Sequence, residues 1–294
     1  MKTRKWIFLL TLSAGVALFF TSCEKHDTGT MAKVSEDEVA TAEDNMLMEA
    51  LLDDAMDEAD RAVITVDDWI YNSDGTTLKS ATVDTCPMIT VDHPDSTRWP
   101  KVITIDYGDL CTGFYGHTRS GRIIITIWGR YMKPGSKRVV ALEDYYMNGI
   151  HVEGTRTVMN EGRNNAGNLV FSVELKDGKI TKNDTMIMTR EYVRFREWVA
   201  GEKTRNKWDD VFFITGEASG MNFRGHTYHK TIVNPLEWAR TCRFIKSGTV
   251  SIRIDDMPPF TLDYGDGTCD NKATITRGDV TKEIELKYHP RKIR

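Results

Sequence analysis

Apolar side chains recur every three or four positions between Ser35 and Val63, which is the spacing of one face of a helix. Ser35 followed by Glu38 fits a capping box, in which the two side chains satisfy free N–H groups at the helix start. Acidic residues occupy the opposite face. The pattern predicts one amphipathic helix over 35–63 that packs on a sheet with its acidic face in solvent. An alternative is that the acidic face docks a partner or collects cations. The apolar stripe consists of Val39, Met46, Leu47, Leu51, Leu52, Met56, Ala59 and Val63.

From residue 64 to the end of the chain, the pattern becomes that of β-strands. Short runs rich in Val, Ile, Thr and aromatic residues alternate with turn residues. Asn148-Gly149 and Asp177-Gly178 each stand between two such runs, which is a hairpin signal because these residue types accept positive φ. The sequence therefore predicts a mainly β fold, an antiparallel meander of many strands in a domain over 64–294.

One phrase occurs twice in this region. TIDYGDLC ends at Cys111 and TLDYGDGTC ends at Cys269. In both copies a strand-like run precedes DYGD, and a polar turn and a further strand follow the cysteine. We interpret the segments near 86–127 and 242–286 as a degenerate duplication of a disulfide-closed β unit.

Four cysteines follow Cys23, and they allow three pairings. Pairing Cys86 with Cys111 and Cys242 with Cys269 is the most economical choice, because it makes each repeated unit self-contained. Each bond would close a loop of about 26 residues, which stabilises a fold by roughly 3–4 kcal/mol in the chain-entropy model.

The chain begins with three basic residues, an apolar run from Trp6 to Phe20, and the small pair Thr21 and Ser22. This order is typical of a secretory signal peptide, here 1–22. A cysteine directly after small residues resembles the lipobox of bacterial lipoproteins, in a style similar to that of the Bacteroidota. The resemblance implies that Cys23 carries palmitate-like acyl chains and becomes the mature N-terminus. It also implies a flexible tether over 23–34 and, because residue 24 is Glu rather than Asp, an anchor in the outer membrane; whether the protein faces the periplasm or the cell surface stays open.

Charge excludes one class of partner. Removing the leader takes Lys plus Arg from 39 to 36 against 43 acidic residues, a balance of −7. The basic residues are not clustered, so we expect no nucleic-acid partner.

Candidate chemistry is sparse. The DYGD phrases could hold Ca²⁺ through carboxylates, although turn formation is the simpler interpretation because Asp bonds to its own backbone. Trp198 and Trp208 flank a basic segment that is predicted to form an exposed loop, so they are the candidate binding residues. The carboxylates of the metal alternative are Asp106, Asp109, Asp263, Asp266 and Asp270.

The sequence contains no GxSxG, HExxH or P-loop motif. We therefore expect no enzyme and no cofactor, but an envelope lipoprotein with a non-catalytic binding or structural role. One alternative is a surface module that binds a glycan or a lipid, since a meander around a helix is similar in outline to periplasmic lipoprotein carriers; the other is a hydrolase with an unmarked acidic site. Beyond the membrane, the partner could be a glycan, a lipid or a protein.

Overall fold

The strands form one antiparallel meander. The computed structural model describes residues 33–72, 86–92, 98–113, 116–204 and 206–286. Thirteen of the 14 strands follow one another in a single sheet, and the short β3 pairs beside them with β4. The predicted mainly β meander is therefore confirmed, whereas the predicted leader and Cys23 lie outside the described residues. The strands are β1 Met88–Asp92, β2 Lys101–Asp106, β3 Cys111–Thr112, β4 Thr118–Trp128, β5 Lys137–Met147, β6 Ile150–Arg163, β7 Leu169–Lys182, β8 Met186–Ala200, β9 Val211–Met221, β10 Thr227–Ala239, β11 Ser247–Ile254, β12 Phe260–Asp266, β13 Lys272–Arg277 and β14 Val280–Glu285.

The helix α1 spans Glu36–Asn72. Its start has the predicted capping box: the Ser35 N–H donates to the Glu38 carboxylate at 2.7 Å, and the Glu38 N–H donates to Ser35 Oγ at 3.2 Å. The helix continues nine residues beyond the predicted end at Val63. The β-branched run from Ile64 to Val66 suggested a strand, but Val66 is buried in the core, and such packing overrides a weak local propensity. In the described part of the chain, no helix is both long and apolar enough to cross a membrane.

The two predicted hairpin turns have different outcomes. Asn148 and Gly149 have φ of 50° and 77° and join β5 to β6, as expected. Asp177-Gly178 instead forms a bulge inside the continuous strand β7. A Cβ on Gly178 would lie 2.4 Å from the Arg190 carbonyl oxygen of the neighbouring strand, so glycine serves close strand approach here rather than a turn.

Both predicted disulfides are present: Cys86–Cys111 and Cys242–Cys269. The tyrosine of each DYGD phrase is buried, at 3% exposure for Tyr107 and 5% for Tyr264. The first aspartate of each phrase accepts a hydrogen bond from the glycine N–H two residues on, at 2.8 and 2.9 Å. The phrase therefore makes a tight turn beside a buried ring in both copies.

Two groups of buried apolar side chains form the core. The larger joins Met48 and Leu51 of α1 to strand residues such as Ile103 and Ile125. The smaller joins Val34 and Ala42 to side chains of β9 to β14 and includes Tyr264. The helix sequence thus contributes to both groups, and its charged residues meet the same strands.

Candidate ligand-binding cleft

Several acidic residues of α1 lie in ion pairs with basic residues of the strands and of the turns between them. Asp54 is 7% exposed, and both of its oxygens accept hydrogen bonds from Arg119 of β4 at 2.7–2.8 Å. Asp60 pairs with Arg138 of β5 at 2.7 Å. The expected solvated acidic face is therefore wrong for Asp54 and Asp60, which face arginines of the strands, whereas Asp53 is 49% exposed as expected. Further pairs are Glu38–Arg277, Asp37–Arg224, Asp53–Arg156 and Asp67–Arg130.

Glu49 is the most crowded of these acids. Its carboxylate lies 2.6 Å from Arg194, 3.3 Å from Lys230 and 3.5 Å from Arg190. Burial alone would raise the pKa of Glu49, but the three cations hold it well below its usual range. One carboxylate thus faces three buried cations, and positive charge is in excess at this place.

Strand β8 brings an unusual set of side chains to the helix side of the sheet. Arg190 and Arg194 are buried, while Val193 and Phe195, on either side of Arg194, are 48% and 46% exposed on the other face. A strand normally directs its apolar positions inward, so the pattern VRFRE predicts the opposite orientation. The carboxylates of α1 account for the inversion, because they stabilise arginines on the inner face.

Arg196 is the arginine of β8 without a counter-charge, unlike Arg190 and Arg194. Among the described residues, no carboxylate oxygen lies within ion-pair distance, 4.0 Å, of its guanidinium. Its Cζ atom lies 4.8 Å from the ring centre of Phe212 and 5.6 Å from that of Trp238. Burial, and then the neighbouring Arg156, lowers the pKa of Arg196. The aromatic rings therefore position a cation that still lacks an anion.

A cleft borders this guanidinium. We call it the inner cleft, and its free volume is about 650 Å³, including space open to solvent. Its walls include Ala50, Trp238 and the three arginines Arg156, Arg194 and Arg196. Four carboxylates of α1 also line it, of which Glu49 and Asp54 are engaged by Arg194 and Arg119; the other two are Asp53 and Asp57. Four guanidinium nitrogens in these walls are buried and have no hydrogen-bond partner: Nε and Nη1 of Arg156, Nη2 of Arg194 and Nε of Arg196. The Arg156 Nη1 atom approaches Asp53 only to 3.6 Å. All four nitrogens are donors, so the cleft presents donors that call for an acceptor.

A second cavity shares Arg196 with the inner cleft. Tyr131, Trp198 and Phe212 line it, together with the cationic side chains of Lys207 and Arg240. The predicted binding residue Trp198 thus lies in a cavity wall, two positions from Arg196 on the same strand, with its ring stacked on Phe212 at 5.3 Å.

Trp208, the other predicted binding residue, is not brought to the same place. It lies in a short 3-10 turn, Lys207–Asp209, its side chain is 54% exposed, and it lines neither cavity. Sequence reasoning missed Arg156, Arg194 and Arg196 altogether. The available signal for Arg194 and Arg196 was their alternation with Val193 and Phe195 in β8, which a search for motifs does not weigh.

Four of the five predicted alternative metal ligands accept hydrogen bonds from backbone N–H groups. Asp266 and Asp270 accept hydrogen bonds from N–H groups two residues on, at 3.1 and 3.0 Å, as Asp106 and Asp263 do. In the described ranges, no three His, Cys, Asp or Glu side chains converge as a metal site would need. These turns give no argument for a Ca²⁺ site.

Comparisons with known proteins found no match to this chain among family models, curated proteins or solved structures.

Lys230 provides a test of the buried charge cluster. Burial, together with Arg190 and Arg194, lowers its pKa from 10.5 to about 8 despite Glu49. Between pH 8 and 10.5 the unfolded chain then binds more protons than the folded protein, so stability rises with pH by up to about 3 kcal/mol. Lys230→Met should lack this rise, whereas the exposed Lys282→Met should keep it. Denaturant unfolding of the three proteins across this range measures the difference; parallel curves would contradict the arrangement.

Proposed function

We propose that this protein is a membrane-anchored envelope lipoprotein with a non-catalytic binding role, and that the inner cleft binds a ligand through an oxyanion group. The main support for this proposal is Arg196, whose guanidinium is largely enclosed and contacts no carboxylate. Beside it, three further guanidinium nitrogens of Arg156 and Arg194 have no hydrogen-bond partner. A buried donor without a partner costs about 1–3 kcal/mol, and more when it is charged. A carboxylate, phosphate or sulfate would remove that cost, since arginine binds such groups through paired hydrogen bonds.

Charge supports the same ligand class. Glu49 is surrounded by three cations. Lys207 lines the second cavity, whose two carboxylates, Asp60 and Asp210, pair with Arg138 and Arg240. An anion placed between these groups would be attracted by several cations in a medium that screens charge less than water does.

The pairing of the helix acids favours binding over catalysis. Both carboxylate oxygens of Asp54 accept hydrogen bonds from Arg119, and three cations surround Glu49, so neither carboxylate is free to act as an acid or a base. An acid for hydrolysis needs a pKa raised toward the working pH, and Glu49 is shifted the other way.

We also infer that α1 remains packed on the sheet and that the two DYGD units arose by duplication. The shared core group and the ion pairs support the first inference. Equivalent disulfides and buried tyrosines support the second. In each copy a glycine follows fifteen residues after the first Asp of DYGD, but Gly121 lies within β4 whereas Gly278 lies between β13 and β14. An alignment of each unit across homologues would test the duplication.

Inorganic phosphate and sulfate are direct probes of the cleft. We expect each to raise the melting temperature in proportion to its occupancy of the folded state. Arg196→Gln should weaken binding about tenfold or more, since hydrogen bonds to a charged group contribute about 1.5–3 kcal/mol. Calorimetric titration of both proteins measures the loss.

Arg163→Gln is the matched control, because Arg163 is half-exposed and pairs with Glu202 away from the cleft. It should bind the anions as the unchanged protein does. If neither anion binds, or if both arginine variants lose binding equally, the proposed anion site is wrong.

The anchor rests on the order of charge, apolar run and small residues before Cys23. Cells grown with labelled palmitate should place label on the unchanged protein in the outer-membrane fraction, and Cys23→Ala should remain unlabelled. Absence of label together with equal solubility of the two forms would refute the lipoprotein proposal.

A further inference from the structure

We propose that the ligand is a single-chain anionic amphiphile, whose oxyanion head occupies the inner cleft and whose apolar chain enters an adjoining recess. This inference rests on the proposed function and adds the second half of the ligand. The recess is formed mainly by Met46 of α1, Phe244, Ile245, Tyr264 of β12 and Leu286, with Arg243 as a cationic side chain in its wall. Its free volume is about 480 Å³, including space open to solvent.

The recess and the inner cleft are continuous. Glu49, Ala50, Asp53, Trp238 and Ile245 line both of them. A molecule with its head beside the unpartnered arginine nitrogens can therefore extend into the recess without leaving the protein surface.

The character of the walls changes along this path. Leu286 and Tyr264 are buried at 4% and 5% exposure, and Met46, Phe244 and Ile245 are partly buried against the same core group. Apolar side chains around a partly open recess match an alkyl chain, which gains free energy on leaving water. The cleft end instead presents charged donors.

The two carboxylates on the path do not oppose an apolar chain. Glu49 is engaged by Arg190, Arg194 and Lys230, so its charge is compensated. Asp53 is 49% exposed and lies near Arg156. The chain can pass over Ala50, Trp238 and Ile245, which are the apolar members of the shared wall.

Chain length separates this inference from simple anion binding. The probes are inorganic phosphate and n-butyl, n-hexyl and n-octyl phosphate, titrated as monomers into the exported Cys23→Ala chain in detergent-free buffer. Each methylene that enters the recess should tighten binding by about fourfold. n-Octanol, which lacks the head, should bind more weakly than n-octyl phosphate and should not respond to Arg196→Gln.

Variants of two methionines, Met46 in the recess and Met132 outside it, locate the chain. Met46→Gln places a polar group of similar size in the recess and should weaken n-octyl phosphate several-fold while leaving inorganic phosphate unchanged. Met132→Gln is the control, because Met132 is 40% exposed and lines none of these cavities. Binding of phosphate that depends on Arg196 but not on chain length would overturn the amphiphile and leave the anion site intact. Failure of all the probes would overturn both, and binding of n-octanol equal to n-octyl phosphate would overturn the anionic head.

Discussion

The pairing of carboxylates on α1 with arginines on the inner face of the sheet is the interaction on which the interior depends. Both partners are largely enclosed, as Asp54 and Arg119 show with side-chain exposures of 8% and 11%. Burying either charge alone is unfavourable, and breaking a buried pair typically costs about 3–5 kcal/mol. Because Asp54 meets β4, Asp60 meets β5 and Glu49 meets β8 and β10, the pairs tie one helix to strands that are far apart in sequence.

That constraint reverses the ordinary polarity of β8. The inner face of a strand is normally apolar, but here the arginines lie inside and Val193 and Phe195 lie outside. The sheet supplies more positive charge than the helix neutralises, and Arg196 is the residue left with aromatic rings instead of a carboxylate. This unneutralised positive charge favours an anionic ligand in the cleft, since an enclosed cation with unpartnered donors binds a group rich in acceptors.

The sequence predicted the features that depend on residues close together in the chain. Asn148-Gly149 forms its turn because both residues accept positive φ, and the repeated DYGD phrase marked two disulfides closed within short segments. The same signal failed at Asp177-Gly178, where the approach of β8 converts a turn sequence into a bulge. The cleft could not be foretold, because the position of Arg196 depends on a helix more than a hundred residues away. Periodicity alone would assign it to solvent.

The central claim is that Arg196 is a partly enclosed cation without a carboxylate partner. Ile214 lies directly opposite it on β9 and is 8% exposed, so a carboxylate placed there would supply the missing partner. The direct measurement is the unfolding free energy of Ile214→Glu compared with its neutral isostere Ile214→Gln, each made with Arg196 unchanged and with Arg196→Gln. The account predicts that Glu is more stable than Gln only when Arg196 is present, a coupling that a double-mutant cycle isolates. Equal stability of the two variants in both backgrounds, or a less stable Glu beside Arg196, would contradict it.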